Sequence, residues 1–410
     1  MSPVALPIQH AAVLHGPKDL RYEERTVWPP QEGHVQVAVV ATGLCGSDLH
    51  YYLHGRNGDF ALQAPLVLGH EAAGIVTAIG PGVKGFVVGQ RVAIEAGIMC
   101  RECTYCKRGR YNLCKNMRFA SSAKTFPHLD GTLQDRMNHP AHVLHPLPDN
   151  CTFEQAALAE PLSVLLHASR RAGLSPSHPS SVLVFGVGAI GLLACALAKS
   201  YNATRVVAVD INRDRLEFAK REGFVDDKGK TINIEDQLRR AKENMSNALQ
   251  AFGMPDGFDL VFECTGAEAC IQMSIYAATT GGKVMLVGMG TRTTTLPLST
   301  AALREVDILG SFRYANTYPE ALAILAGGKK KLPQIEKIIT HRFGLDECAK
   351  AFELLARGRD EKGGLVIKVM AWVPVIVFLY STFSLLSLTM EWQSQSSQPS
   401  LFTSVLREMK

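Results

Sequence analysis

Four cysteines, Cys100, Cys103, Cys106 and Cys114, follow the spacing C-x2-C-x2-C-x7-C. Thiolates this close along a chain can wrap one tetrahedral zinc ion and leave no coordination position open, the arrangement of a structural site. Four unrelated thiols would require three coincidental spacings. Arg101, Lys107, Arg108 and Arg110 flank them and would offset the negative charge of a four-thiolate centre, or simply form a solvated loop. A second group of zinc-ligand types lies upstream: Cys45 in GLCGSDLHYY, then His70 and Glu71 in GHEAAGIV, all among glycines in strand-like sequence. Taken singly, each of these three is more often structural. Neighbours in an extended strand point to opposite faces, so His70 and Glu71 can serve one ion only if the backbone turns at Gly69-His70-Glu71. Three protein ligands would leave the open position that a catalytic zinc needs.

Glycine makes the third pattern. Gly186, Gly188 and Gly191 spell G-x-G-x-x-G directly after the apolar run SVLVF and at the start of a helical run, LLACALAKSY. Backbone N–H groups and the positive end of a helix meet there, which suits a pyrophosphate. The hexapeptide alone is a weak signal, but Asp210 ends the next strand, RVVAVD, 19 residues after Gly191. A carboxylate at that place accepts hydrogen bonds from a ribose 2′-hydroxyl and repels a 2′-phosphate, so NAD is expected over NADP. Arg213 and Arg215 leave some room for a phosphate, and Arg215 could equally cover the adenosine or pair with Asp210. The bland alternative is a glycine turn that only packs helix on strand.

The elements that must hold these groups change character along the chain. The first 150 or so residues carry short β-type runs such as HVQVAVVATG and AAGIVTAIG, punctuated by glycine and proline, which predicts a mostly β domain. From Ser181 the order strand, glycine turn, helix, strand predicts a βαβ unit. Further strands at FDLVFEC and KVMLVGM, separated by a helix from Glu268 to Ala278, extend it to a parallel sheet covered on both faces. Helices follow in YPEALAILAGGK and ECAKAFELLARG, and GGLVIKVM reads as a closing strand that returns to the first domain. The expected fold is thus α/β, a Rossmann-type doubly wound sheet inserted in a mostly β domain. Its parts are residues 1–160, 161–310, a return over 311–370 and a tail over 371–410.

A chain of 410 residues favours two domains, each able to bury a core. A formal net charge of +5, with Lys and Arg interspersed among acidic residues, gives nucleic-acid binding no support. The first residues lack a charged stretch followed by an apolar core, so no secretory signal is expected, and a cytosolic compartment that keeps thiols reduced is the default.

Together, GLCGSDLHYY, GHEAAGIV, the cysteine lobe ending GRYNLC, AEPLSV, GVGAIG and SFRYANTYPEAL resemble the zinc-containing medium-chain alcohol dehydrogenase superfamily, and within it the sorbitol, xylitol and arabinitol dehydrogenase branch. The resemblance runs from about residue 10 to about 370. It implies that the β domain is GroES-like, and that Cys45, His70 and an acidic residue hold a catalytic zinc. The branch has Glu160 where ethanol-type relatives use a cysteine, so Glu71 and Glu160 both qualify. Glu71 is expected as the third ligand, and Glu160 as an alternating ligand or the residue that holds the metal's water. A Lewis acid there would lower the pKa of a substrate hydroxyl, and the nicotinamide would take the hydride.

Ser47 and His50, just after Cys45, are expected in a proton relay; a turn cap and a satisfied histidine are the alternatives. The branch also implicates Tyr51, Glu160, Arg313 and Tyr314 in binding substrate, and a polyol has several hydroxyls for such groups to hold. Val287, Gly288 and Met289, with Ser311, Phe312 and Arg313, would line the nicotinamide half of the cofactor site, and Ile190 would lie beneath the pyrophosphate turn; for the apolar ones, plain sheet packing is the alternative. A homotetramer is implied. A dehydrogenase of another secondary alcohol, such as threonine, and a non-catalytic binding protein on the same fold are the competing readings.

Beyond Met370 the resemblance stops. Ala371 to Met390 is a run of 20 uncharged residues, long enough on average to span a bilayer, although Pro374 and several Ser and Thr weaken that reading. A segment that is not a native continuation or a disordered appendage, a tail anchor in a membrane and an extra packed helix are the readings of it.

Overall fold

Two sheets carry the two kinds of chemistry. The computed structural model describes residues 6–226, 230–231, 237–290, 293–327 and 333–373. The parallel sheet has the order Lys230–Thr231, Arg205–Asp210, Ser181–Phe185, Phe258–Glu263, Ala278–Leu286, Asp307–Gly310. Numbered along the chain that is 3-2-1-4-5-6, so the strand order reverses beside Ser181–Phe185, where dinucleotides bind in such sheets. Val182 and Val184 bury against the helices Ala159–Ala172 and Ala189–Ser200, whereas Leu183 and Phe185 bury against Gln237–Phe252 and Glu268–Ala277. Alternating side chains thus have a core on either side, which is why the strand reads as an unbroken apolar run. Each such side chain contributes roughly 1.5–3 kcal/mol of burial.

The second sheet, mostly antiparallel, has the order Leu144–Pro146, Arg91–Ile94, Glu71–Ile79, His34–Gly43, Lys368–Trp372, Ile339–Gly344, with Arg136–Pro140 also paired to His34–Gly43. Met370 pairs with Gly43 and Ala371 with Thr42. The chain therefore leaves this sheet, builds the parallel one and returns. The helix Cys348–Arg357 packs Ala351 and Phe352 into the core of this sheet, and Tyr318–Leu325 packs into the core shared with Ala159–Ala172.

The closing strand differs from its expected bounds. It starts at Lys368 rather than Gly363, because the Asp360 carboxylate accepts the N–H groups of Lys362 and Gly364 and holds a turn there, with Gly363 at φ 81°. It also takes in Ala371 and Trp372, the first two residues of the uncharged run. From Pro374 onward, that run and the rest of the tail lie outside the described residues. Among the described residues, no helix is long and apolar enough to cross a membrane.

Candidate active site

Cys45 stands at the N-terminus of the helix Gly46–His54. His70 follows Gly69, whose φ of 93° turns the chain just before the strand Glu71–Ile79 begins. This is the break in extended geometry that two adjacent ligands need. A Cβ at Gly69 would also meet Thr132 Oγ1 at 2.8 Å and the Leu133 nitrogen at 3.1 Å, so glycine is required twice over. Glu71 lies opposite Gly43, where a Cβ would come within 2.3 Å of Glu71 Oε2; the missing side chain gives the carboxylate its path. As a result, one ligand atom each from Cys45, His70 and Glu71 lie within 4.8 Å of one another, an S, N, O donor set that suits zinc. Glu160, on the helix Ala159–Ala172, is outside that set but is electrostatically coupled to His70, Glu71 and Lys368.

The charges around this set are buried. His70 Nδ1 faces Asp48 Oδ1 at 3.2 Å. Against the downward push of burial, Asp48 and Cys45 hold the imidazole well above its usual pKa. Asp48 is fully buried and accepts hydrogen bonds from Ser121 Oγ, from the Gly69 N–H at 3.3 Å and from the Cys45 N–H at 3.3 Å. Burial pushes its carboxyl up, but His70, Ser121 and Gly69 together hold it below the usual range. Lys368 Nζ donates to both oxygens of Glu71 at 2.8 Å and to the Leu44 carbonyl at 3.1 Å. Each Glu71 oxygen keeps a further lone pair for a metal. Burial, opposed by His70 and reinforced by Glu71, lifts Glu160 to about 7.

Around Glu160 the structure gathers the groups expected to meet a substrate. The Arg313 guanidinium faces the charges of Tyr314, Glu160 and Tyr51, and Glu160 acts in turn on Tyr314. Arg313 lies over the Phe119 ring at 4.0 Å, and its Nη1 is buried without a hydrogen-bond partner among the described residues, while the Tyr314 hydroxyl lies buried between Glu160 and Tyr318. Tyr51 Oη accepts the Ala123 N–H at 2.9 Å, which leaves its own hydrogen to donate. Arg313 and Asn316 adopt φ of 50° and 57°, left-handed values that cost a non-glycine residue about 1–3 kcal/mol each. Ser47 Oγ is 3.5 Å from His70 Nε2, while His50 is exposed and lies beside the His54 ring.

The three glycines of the turn serve three needs. Gly186 has φ 85° and would drive a Cβ into Thr265 Cγ2 at 2.6 Å; a Cβ at Gly191 would meet the Gly186 oxygen at 1.7 Å. A Cβ at Gly188 would meet nothing within 4 Å, so the helix N-terminus it caps lies open to a ligand. Asp210 accepts the N–H groups of Val187 and Asn212, both at 2.7 Å, so its carboxylate is locked beside the turn. Arg215 Nε is buried without a partner among the described residues. Opposite, Gly288 stacks so tightly on Gly266 that a Cβ would come within 2.2 Å of the Gly266 nitrogen. Val287, Ile190 and Ser311 are half-buried, whereas Met289 and Phe312 are exposed, as open cofactor walls would be.

In the cysteine lobe all four thiols are free, with Sγ pairs at 3.4 Å (Cys100 and Cys114), 3.6 Å (Cys103 and Cys106) and 4.0 Å (Cys100 and Cys106). Sulfurs bound about 2.3 Å from one tetrahedral ion lie about 3.8 Å apart, so the lobe fits zinc without rearrangement.

Sequence reasoning missed Asp48, Ser121, Lys368, Asn112 and Glu263. Asp48 had a signal, three residues after Cys45, and Lys368 had one as a lone cation in an apolar strand. Glu263, fully buried, holds the Thr265 and Gly266 N–H groups and so shapes the wall facing the glycine turn. Ser121 and Asn112 carried no signal.

The family model of the alcohol dehydrogenase GroES-like domain matches residues 31–149, and that of the zinc-binding dehydrogenases matches residues 189–327. The chain is 41% identical over 372 residues to sorbitol dehydrogenase of Homo sapiens, covering 90% of this chain and 97% of that protein. It is 40% identical over 362 residues to L-idonate 5-dehydrogenase of Vitis vinifera, covering 88% and 93%. Among solved structures, a dehydrogenase from E. coli CFT073 complexed with NADH superposes with a TM-score of 0.77 at 26% identity, covering 89% of this chain and 99% of that one.

Proposed function

The chain belongs to the zinc-containing medium-chain dehydrogenase family, in its polyol dehydrogenase branch, and we propose that it oxidises a secondary hydroxyl of a sugar alcohol such as sorbitol, xylitol or an arabinitol to the ketose, with NAD as acceptor. It is an oxidoreductase. The observation that carries the substrate class is Arg313 Nη1, buried without a hydrogen-bond partner among the described residues and facing the charge of Glu160. A hydroxyl beyond the reacting one satisfies it, whereas a simple alcohol leaves it unpaired and costly.

Cys45 and His70, with Glu71 third, would hold one zinc ion, and Glu160 would alternate with Glu71 or accept a hydrogen bond beside it. The four cysteines of the lobe would hold another. When bound, zinc supplies Lewis acidity toward the reacting hydroxyl, and the nicotinamide takes up the hydride. The protein's own groups do the rest. Arg313 and Tyr51 donate to substrate hydroxyls, Glu160 accepts from them, and Tyr314 can do either. Ser47 lies within reach of the ligand set, and exposed His50 offers the proton a way to solvent. Asp210 orients the adenosine ribose and sets the preference for NAD; Ile190, Arg215, Val287 to Met289 and Ser311 to Arg313 complete the cofactor walls. We further infer a cytosolic homotetramer.

The test is NADH formation with sorbitol, xylitol, arabinitols, threonine and simple secondary alcohols, before and after treatment with a strong chelator. Polyols should be the best substrates, and the chelator should abolish the rate. Faster turnover of a simple alcohol than of every polyol would remove the substrate reading, and a full rate without metal would remove the zinc.

A further inference from the structure

Arg313 and Tyr314 are presented from a loop whose backbone has two left-handed non-glycine residues, Arg313 and Asn316. Such positions persist only where the surroundings over-determine them. The φ of a residue is the rotation that follows the peptide plane before it, so pinning that plane pins the residue. At both positions the pin comes from the cysteine lobe. Asn112 Nδ2 donates to the Phe312 carbonyl oxygen at 2.9 Å and fixes the plane before Arg313. The Asn316 N–H donates to Tyr111 Oη at 2.8 Å and fixes the plane before Asn316, while Asn316 Nδ2 reaches the Gly109 carbonyl at 2.7 Å.

The lobe is a firm anchor. Asn112 is 2% exposed, and Tyr111 in turn donates to the buried Glu95 carboxylate at 2.7 Å. Both lie in the turn Tyr111–Leu113, directly before Cys114, the one buried thiol of the four. Further hydrogen bonds hold the two ends of the loop: the Ser311 N–H donates to the Leu286 carbonyl at 3.2 Å, and from the helix Ala159–Ala172 Arg171 donates to the Gly310 carbonyl and Arg170 to that of Asn316. The peptide plane next to Arg313 rests on Asn112.

We propose that the cysteine lobe is a clamp for the substrate loop, with Asn112 the positioning residue that sets where the Arg313 guanidinium and Tyr314 hydroxyl meet the substrate. It rests on the assignment of those two groups to the polyol. Asn112→Asp keeps the shape but loses the donor. The expected result is a KM for the polyol raised about tenfold, the effect of one buried hydrogen bond, with kcat, the KM for NAD and the zinc content unchanged and the thermal midpoint lowered by no more than a few degrees, about what one lost buried hydrogen bond costs. Asn316→Gly, at an exposed position, tolerates the left-handed backbone but drops the Gly109 contact, and should raise the same KM by about threefold even if Asn112→Asp does not fold. An unchanged polyol KM in the folded variants overturns the clamp, and so does a joint fall of kcat, NAD affinity and thermal midpoint, which marks plain structural damage. Arg313→Ala in parallel separates the two claims: if it leaves the polyol KM untouched, the substrate assignment itself fails.

Discussion

The two zinc-ligand groups of this protein are built in opposite ways. The lobe takes its four thiols from one stretch, Cys100 to Cys114, near the surface, and its flanking Arg101, Lys107, Arg108 and Arg110 are exposed. The other set draws Cys45 from a helix start, His70 from a turn and Glu71 from a strand start, and surrounds them with the buried charges of Asp48, Lys368 and Glu160. A closed set of soft ligands needs only local spacing. An open position must instead be kept open, dry and electrostatically balanced by groups brought from far along the chain.

Exchanging one ligand in each place gives the largest expected effect. Cys45→Ser should lower kcat/KM at least about a thousandfold, in line with the several kcal/mol a Lewis acid supplies, with little change in thermal midpoint. Cys103→Ser should mainly lower the midpoint, with its kinetic effect confined to a raised polyol KM through the loosened clamp. Steady-state kinetics and thermal unfolding on both variants decide the matter. Equal kinetic and stability losses in the two would erase the distinction.

The contrast also explains what could be read from the sequence. SVLVF and RVVAVD became strands with the expected bounds, and the cysteine spacing and glycine turn were legible because all their parts are local. Asp48 was within reach of the same reading but lay in a motif already explained by its cysteine. Lys368 meets Glu71 across 297 residues of sequence, and Asn112 meets Phe312 across 200. No periodicity or spacing encodes such pairs; they exist only once Met370 pairs with Gly43 and the lobe folds against the loop.

A second prediction concerns Glu160, which has no counterpart in the lobe. With a pKa of about 7 in the folded metal-free protein and an ordinary value of 4.5, it binds its proton more tightly folded than unfolded. Its contribution is therefore fully present below pH 4.5 and is lost as pH rises toward about 7, a change on the order of 3 kcal/mol. Glu160→Gln removes the titration. In metal-stripped protein, the stability of the variant relative to wild type should rise across that window and level off above it, as followed by denaturant unfolding at a series of pH values. A difference that does not vary with pH would mean that the carboxyl is not held protonated by burial.

The smallest expected effect separates the sites most cleanly. Asp48 touches His70 Nδ1, the Cys45 N–H and the Gly69 N–H, so it orients two ligands and the turn between them without belonging to the ligand set. Asn in its place keeps the volume and one acceptor oxygen but loses the charge that draws the imidazole into place. Groups behind ligands of this kind are worth about 10–100-fold in metal affinity or activity. Titrating the Asp48→Asn protein with a chelator should therefore release one zinc ion per chain early and the lobe's zinc at the wild-type concentration. Release of both ions together would tie Asp48 to the fold as a whole rather than to the buried site it surrounds.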